Sequence, residues 1–505
     1  MPISESEVLQ RIRKGEILRG EDLRESHLEK AVLVGAQLPE CRLDSARLMG
    51  AEVREADLSG ASLESADLRY GDFRGSRLVK AKLARAKVSH CQLDGCALDG
   101  ADFGGAEVEK TSFAEASVSG SRWVEARVSD VDFSKASGLD GLDFTEADLD
   151  SVLFPGLSMA SASFRDAHAR LVSFQNGSLS DVDFSGARLS RASFDRSSAR
   201  SVRFRETRAL NCTFREADLE GADFLGASFE ACDFSRAKLA RSSFAKAKCN
   251  RYTQFRNAAL DGADFSGATL EGVDFTGSSL RGAILAGASL KGANLSGCDL
   301  EGTDLSACDI DGANLSGARL SNAVVSAAML ASRQVILEGL NLEGVVLEGG
   351  SFRGVVWRGV VLARAKLSRS DFRSADLSRA DLRGADLSSS DLRGANLSES
   401  DLSGADLRGA VLSEANLRRA KLAGARLDDS NLIGAALEGV DLNGAVLSGA
   451  GAVWDEIRKA RFGPQTLVGV LMHGEIAGIA GKNLPGSFEV RKNLAAMLHR
   501  MKDES

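Results

Sequence analysis

The sequence predicts an all-β solenoid, and three observations predict it. A small residue, an Asp or Asn, and a Leu or Phe recur every five residues, as in Ala375-Asp376-Leu377-Ser378-Arg379 and Ala380-Asp381-Leu382-Arg383-Gly384. Glycine is abundant at 52 residues while proline is scarce at 5. Of 23 Phe, 21 fall at one position of the unit, and only Phe462 and Phe488 do not. With the large apolar residue called i, the unit is small at i−2, often Asp or Asn at i−1, and polar or Gly after i. Such a period matches neither the helical nor the strand repeat. Residues i and i−2 point to one side of an extended backbone, so the other three must turn the chain and face water. Gly at i+2, as at Gly50, Gly60, Gly75 and Gly100, suits a turn with positive φ. One unit cannot bury its own apolar face, so successive units wind into a coil.

Taken from the N-terminus, residues 1–17 are expected to form a helical cap. Ser4-x-x-Glu7 reads as a capping box, and Val8, Leu9 and Ile12 give helical spacing over 4–14. The repeat then runs in four registers, Leu18 to Phe133, Phe144 to Cys249, Phe255 to Leu330 and Leu337 to Leu447, for 85 units. The first two breaks add one residue and read as corner bulges; the third adds two. After it the i−2 slots become bulky (Val335, Leu340, Val345, Val355, Val360), with Trp357 at i. Overfilled slots should distort a coil. The expected organisation is therefore a block at 18–330, distorted junction coils at 331–362 and a second block at 363–447. The repeat reads as ending at Leu447. Residues 453–461 and 465–480 look helical, and 448–505 are expected to be a C-terminal helical cap or dimerisation segment. Open solenoid ends need such covers.

Phe stands at i at 144, 154, 164 and every second unit to 244, with mostly smaller residues between (Leu149, Met159, Ala169, Leu179). This alternation fits an even-sided coil with two Phe ladders on opposite interior faces, the small groups giving them room. Seven cysteines (41, 91, 96, 212, 232, 298, 308) occupy i−2 and Cys249 occupies i, so they read as small buried apolar groups rather than disulfide partners. That usage suits a reducing compartment.

The unit resembles the pentapeptide-repeat family over residues 18–447. The resemblance implies a right-handed, four-sided parallel β-helix with four units per coil, hence about 21 coils and a length of roughly 100 Å at strand spacing. Some members of the family are acidic DNA mimics that bind type II topoisomerases such as gyrase and relieve quinolone poisoning. A DNA-mimic modulator is the alternative function on that ground, and a secreted effector is a further one.

Composition excludes other classes. Net charge is −8, without the overall basic footprint of a bulk nucleic-acid binder. No stretch approaches the ~20 apolar residues of a membrane span, and the start lacks the basic and apolar regions of a cleaved signal, so a cytoplasmic protein is expected. The five histidines are far apart, and no metal cluster, catalytic triad or cofactor fingerprint emerges. Gly478-Ile479-Ala480-Gly481-Lys482-Asn483 fails as a phosphate loop, with Ile476 at the first Gly position and Asn483 in place of Ser/Thr. His473 and Glu475 lack a nucleophile or third partner. The expected protein is not an enzyme and takes no cofactor. It is a scaffold or protein-interaction solenoid with a protein partner, and the C-terminal segment is a candidate homodimer contact.

Charge is banded along the chain. Residues 69–87 hold seven Lys/Arg against Asp72, while 94–109 hold five acids and no base. Residues 188–215 carry eight Arg against Asp195 and Glu206; six acids follow at 216–233, then seven bases at 236–256. Grouped charges set a local field that net charge hides. Arg200, Arg203, Arg205 and Arg208 are the candidate partner contacts. Banding of this kind also lets neighbouring coils attract one another.

Overall fold

A computed structural model describes residues 5–331, 339–462 and 471–473. The chain divides into two compact units, Met1–Asp274 and Phe275–Ser505. In both, parallel bridges join residues twenty apart, for example Asp57 with Arg77, Ser198 with Asp218 and Asp371 with Asp391. Four five-residue units therefore make one turn of a parallel β-solenoid.

The backbone hydrogen bonds of one unit explain why the repeat has this spelling. Around Leu58, Asp57 N–H donates to Ala36 O of the preceding turn, while Leu58 and Gly60 N–H donate to Arg77 O and Val79 O of the next. Ala61 N–H closes the corner by donating to Leu58 O at 3.0 Å. One donor is left over, the N–H of Ser59, and the Asp57 carboxylate two residues back takes it at 2.9 Å. Asp and Asn recur at i−1 because a short acceptor there satisfies the one amide that the coil cannot. The residue at i+2 is left-handed at most corners, with φ of 69° at Gly50 and 68° at Gly60 but also 58° at Glu25 and 59° at Arg379. Glycine is thus favoured at the corner and not obligatory there.

In the first unit, helix α1 (Glu5–Arg13) precedes the coils, lies within the expected 4–14, and buries Val8. Ser4 of the capping box lies outside the described residues. One face then widens from single bridges into a nine-stranded parallel sheet paired in sequence order. Its strands are β1 (Lys87–Ser89), β2 (Glu107–Glu109), β3 (Arg127–Ser129), β4 (Asp148–Asp150), β5 (His168–Arg170), β6 (Arg188–Ser190), β7 (Arg208–Leu210), β8 (Ser228–Glu230) and β9 (Lys248–Cys249).

The two single-residue slips are absorbed at corners. Bridge spacing becomes twenty-one between Arg122 and Asp143 and between Asp233 and Gln254. At the first, Gly138 is the extra residue (φ 77°), and a Cβ there would lie 2.8 Å from Ser119 Cβ. At the second, Asn250 fills the longer corner, its side-chain oxygen accepting from Ala231 N–H and Tyr252 N–H at 3.0 and 3.1 Å. Face assignment survives, so the aromatic rings stay aligned.

Those rings form the two expected ladders. Phe184 stacks on Phe204 (4.9 Å, 6°) and Phe194 on Phe214 (4.8 Å, 3°), while Phe184 meets Phe194 edge to face (5.3 Å, 88°). Trp123 takes a rung between Phe103 and Phe144, and its indole N–H donates to Ser121 Oγ at 2.8 Å.

In the second unit, the two-residue slip follows helix α2 (Ala327–Ala331), and bridging resumes at a spacing of twenty-two, Arg319 with Asn341. From Asn341 to Asp381 the spacing is twenty again, with Leu340, Val345 and Val360 buried in their i−2 slots. Val335 lies outside the described residues. The coil also continues past Leu447, where the sequence reads as ending. Asn431 bridges Gly451 and Asp441 bridges Arg461. Leu442 N–H donates to Arg461 O, which places Phe462 in register with Leu442 at an i position, a correction to its apparent exclusion from the repeat.

Strand β10 (Gly451–Val453) then pairs in parallel with β11 (Leu471–His473). Of the two stretches that read as helical, 453–461 contains a four-residue helix, α3 (Trp454–Ile457). Residues 471–473, inside the second, form a strand instead, because the previous turn offers their backbone a parallel partner at the regular spacing. The phosphate-loop look-alike lies outside the described residues, as do 463–470 and 474–505 of the 448–505 segment expected to be a cap or dimerisation contact.

Candidate functional site

Among the described residues the interior is apolar, with only small hydroxyls and thiols beside it. Seven cysteines are buried, Cys308 is half-buried, and all eight are free thiols. At i−2 a small donor reaches a second lone pair on a carbonyl of the preceding turn. Cys91 and Cys96 Sγ donate to Leu68 O and Phe73 O at 2.9 Å, as Thr207 and Ser390 hydroxyls do to Phe184 O and Leu367 O. Burial pushes the Cys91 and Cys96 thiols up to about 12, so they stay protonated and are poor nucleophiles. Among the described residues no His, Cys, Asp and Glu gather as a metal site, and no helix is long and apolar enough to cross a membrane.

Side-chain variety is confined to the outside, where each column of residues twenty apart forms a ladder at strand spacing of about 4.8 Å. Two arrangements of charge recur. Within a unit, Arg at i+1 grips Asp at i−1 with two parallel hydrogen bonds, as Arg383 does with Asp381 at 2.8 and 2.6 Å. The arginine holds that carboxyl below its usual range. Between turns, Arg at i+1 reaches forward eighteen residues, as Arg256 does to Asp274 at 2.6 Å.

The four arginines expected as partner contacts are divided between roles and faces. Arg200 pairs with Asp218 (2.9 Å) and Glu220 (3.5 Å), Arg203 with Asp183 (3.3 Å), and Arg205 with Asp223. Arg208 has no ion pair or side-chain hydrogen bond among the described residues. Arg200, the Arg203–Arg205 pair and Arg208 stand on three consecutive faces of one turn, so they do not form a single patch.

Arg208 instead lies on β7 and lines an open groove of about 850 Å³ across the broad sheet. Leu189 and Ala209 line it, Arg188, Ser228 and Lys248 stand in the same column as Arg208, and Leu210, Glu206, Glu230 and Lys246 flank it. Linear reading grouped neighbours in sequence and missed this set. Counting by twenty from His168 (Arg188, Arg208, Ser228, Lys248) finds it directly.

The geometry defines a parallel β-solenoid built on a five-residue repeat. Family models described as "Pentapeptide repeats" match residues 46–85, 76–113, 251–287, 283–322, 341–379, 375–413 and 410–449, and one described as "Pentapeptide repeat region" matches 167–244. Together they cover well over half of the chain, and it belongs to the pentapeptide-repeat family.

Three solved structures illustrate the similarity. HetL, a pentapeptide repeat protein involved in heterocyst differentiation regulation from the cyanobacterium Nostoc, is 28% identical over 48% of this chain and 90% of its own, with a TM-score of 0.20. A pentapeptide repeat protein from the Arabidopsis thaliana thylakoid lumen is 35% identical over 21% of this chain and 70% of its own, with a TM-score of 0.18. QnrB1, a plasmid-mediated fluoroquinolone resistance protein, is 20% identical over 38% and 93% respectively, with a TM-score of 0.25. No curated protein matches the chain.

Proposed function

We propose that the chain is a non-enzymatic scaffold whose outer faces dock a protein partner. The observation that carries this reading is the ladder order of the surface. Within each compact unit the exposed columns are joined by parallel backbone bridges, at a spacing of twenty residues over most turns, so charges on successive turns form a preorganised array. A cytoplasmic or otherwise reducing compartment fits eight unpaired thiols. Arg200, Arg203, Arg205 and Arg208 belong to this reading as one charged ring. A partner reaching the first three would compete with carboxylates they already hold. The DNA-mimic alternative has less support, because the i−1 carboxylates are interleaved with arginines that pair with them.

Affinity capture of the full chain with cross-linking, beside a variant charge-reversed at 200, 203, 205 and 208, tests the proposal. A stoichiometric protein partner retained by the wild type supports it; no partner above the bead control overturns it. A partner lost in the variant places the contact on that ring, and equal capture by the variant moves the contact elsewhere. Inhibition of gyrase supercoiling at sub-micromolar protein would favour the alternative.

A further inference from the structure

We infer that the groove on the broad sheet face, between Arg188 and Lys248, is a docking site for an extended acidic polypeptide segment with interspersed apolar side chains. The inference rests on the scaffold reading above and names the face and the chemistry of its partner.

The argument begins with the distribution of unpaired cations. On neighbouring faces of the same turns, arginines find carboxylates, as with Arg203 and Asp183, Arg205 and Asp223, and Arg215 and Asp233. On the sheet face, Arg188, Arg208, Lys246 and Lys248 have no ion pair among the described residues. The cause is the column itself. The i−1 positions there read His168, Arg188, Arg208, Ser228 and Lys248, so no Asp stands a rung away. Arg188 and Arg208 are direct bridge partners, and like charges on adjacent rungs repel. The fold holds this repulsion in place, and an incoming anion relieves it.

Shape and flanking residues select among anions. Small side chains at Ser190, Ala209, Gly226 and Ser228 open the groove, and Leu210, 44% exposed, adds an apolar contact to it. Glu206 and Glu230 also line it, so four cations are interrupted by two carboxylates. That arrangement opposes a continuous phosphate backbone. It suits a peptide whose carboxylates meet the cation column while its apolar side chains meet Leu210. The span from Arg188 to Lys248 is three rungs, roughly 14 Å, or four to five residues of extended chain.

The test is a fluorescence-anisotropy titration of the full chain with a labelled octapeptide alternating Asp and Leu. The lysine counterpart of the peptide and an oligothymidylate serve as competing probes. The expected result is saturable binding of the acidic peptide, weakened at least tenfold by the triple variant R188E/R208E/K248E and falling with added salt. K238E, an exposed cation on another face, is expected to bind like the wild type. If charge reversal perturbs the coil by circular dichroism, R188Q/R208Q/K248Q replaces it, with the same direction expected. Absence of saturation at millimolar protein, equal binding by the triple variant, or tighter binding of the oligothymidylate would each overturn the inference. A failed titration alongside a captured partner removes this face alone, whereas failed capture removes the scaffold reading itself.

Discussion

Residues 144–244 and 377–447 fill the same coil in different ways. In the first stretch large and small residues alternate at i, so two Phe ladders stack through the interior and the intervening positions hold Leu149, Ala169, Leu189 and Ala209. In the second every i residue is Leu, from Leu377 to Leu447, and all four sides are equivalent. Bridge spacing is twenty in both. A close-packed interior constrains total volume per turn rather than the identity of each side. The outsides differ too. The Leu stretch favours Asp and Arg within one unit, as in Asp381–Arg383 and Asp391–Arg393, whereas the Phe stretch favours pairs between turns, as in Arg200–Asp218. The uniform stretch has the same surface logic on every side. The alternating one makes its faces unequal, and the broad sheet runs through it with its unpaired cations Arg188 and Arg208.

The comparison breaks most visibly in the core. Phe194 stacks on Phe174 and Phe214 and meets Phe184 and Phe204 edge to face. Phe194→Ala is expected to cost about 3–5 kcal/mol. Leu397→Ala is expected to cost about 1–2 kcal/mol less, since each aromatic pair contributes about 0.5–1.5 kcal/mol beyond burial. Chemical-unfolding midpoints of the two variants decide it, and equal losses would mean that ring geometry adds nothing to volume.

Corners come next. Gly138→Ala combines a left-handed φ with a backbone clash, its Cβ meeting Ser119 N at 2.9 Å, and should cost about 2–3 kcal/mol. Gly404→Ala has φ of 71° with nothing within 4 Å and should cost about 1–2 kcal/mol. A Gly138 variant as stable as the Gly404 variant would show that the bulge relaxes freely.

A smaller effect is expected at i−1. Asp381 accepts the Arg383 backbone N–H at 3.2 Å as well as its guanidinium. Asp381→Ala should cost about 1 kcal/mol. Asp381→Asn keeps an acceptor for the amide and should cost less, so equal losses would assign the role of Asp to charge alone.

The last effect is a pH dependence. Hydrogen bonds from Arg373, Arg383, Arg393 and Arg408 hold Asp371, Asp381, Asp391 and Asp406 below the usual 3.8. Carboxyls depressed in the folded state stabilise it above that value and lose the contribution as pH falls through their folded values. Thermal unfolding monitored between pH 7 and pH 2 should therefore be flat until about pH 4 and then decline. A midpoint unchanged at pH 2 would show that these exposed pairs are fully screened.

Much of this was legible in the residues because the repeat is local. Leu58 sits inside and Asp57 outside for reasons contained within five residues, and both Phe ladders follow from counting by ten. The continuation past Leu447 was not legible. Ala452, Ile457 and Phe462 keep the spacing but lose the Asp-Leu spelling, and the pairing of Asp441 with Arg461 is a contact between turns. The unpaired cation column was equally hidden. Arg188 and Arg208 are separated by three units of other chemistry and become neighbours only when the turn closes.

The sequence by itself determined which residues face inward and where the chain turns, because both depend on backbone direction and on one short side-chain hydrogen bond. Tertiary structure alone decided which outward charges meet between turns. Those encounters depend on residues per turn and on the corners where one extra residue is absorbed, quantities that no single unit contains.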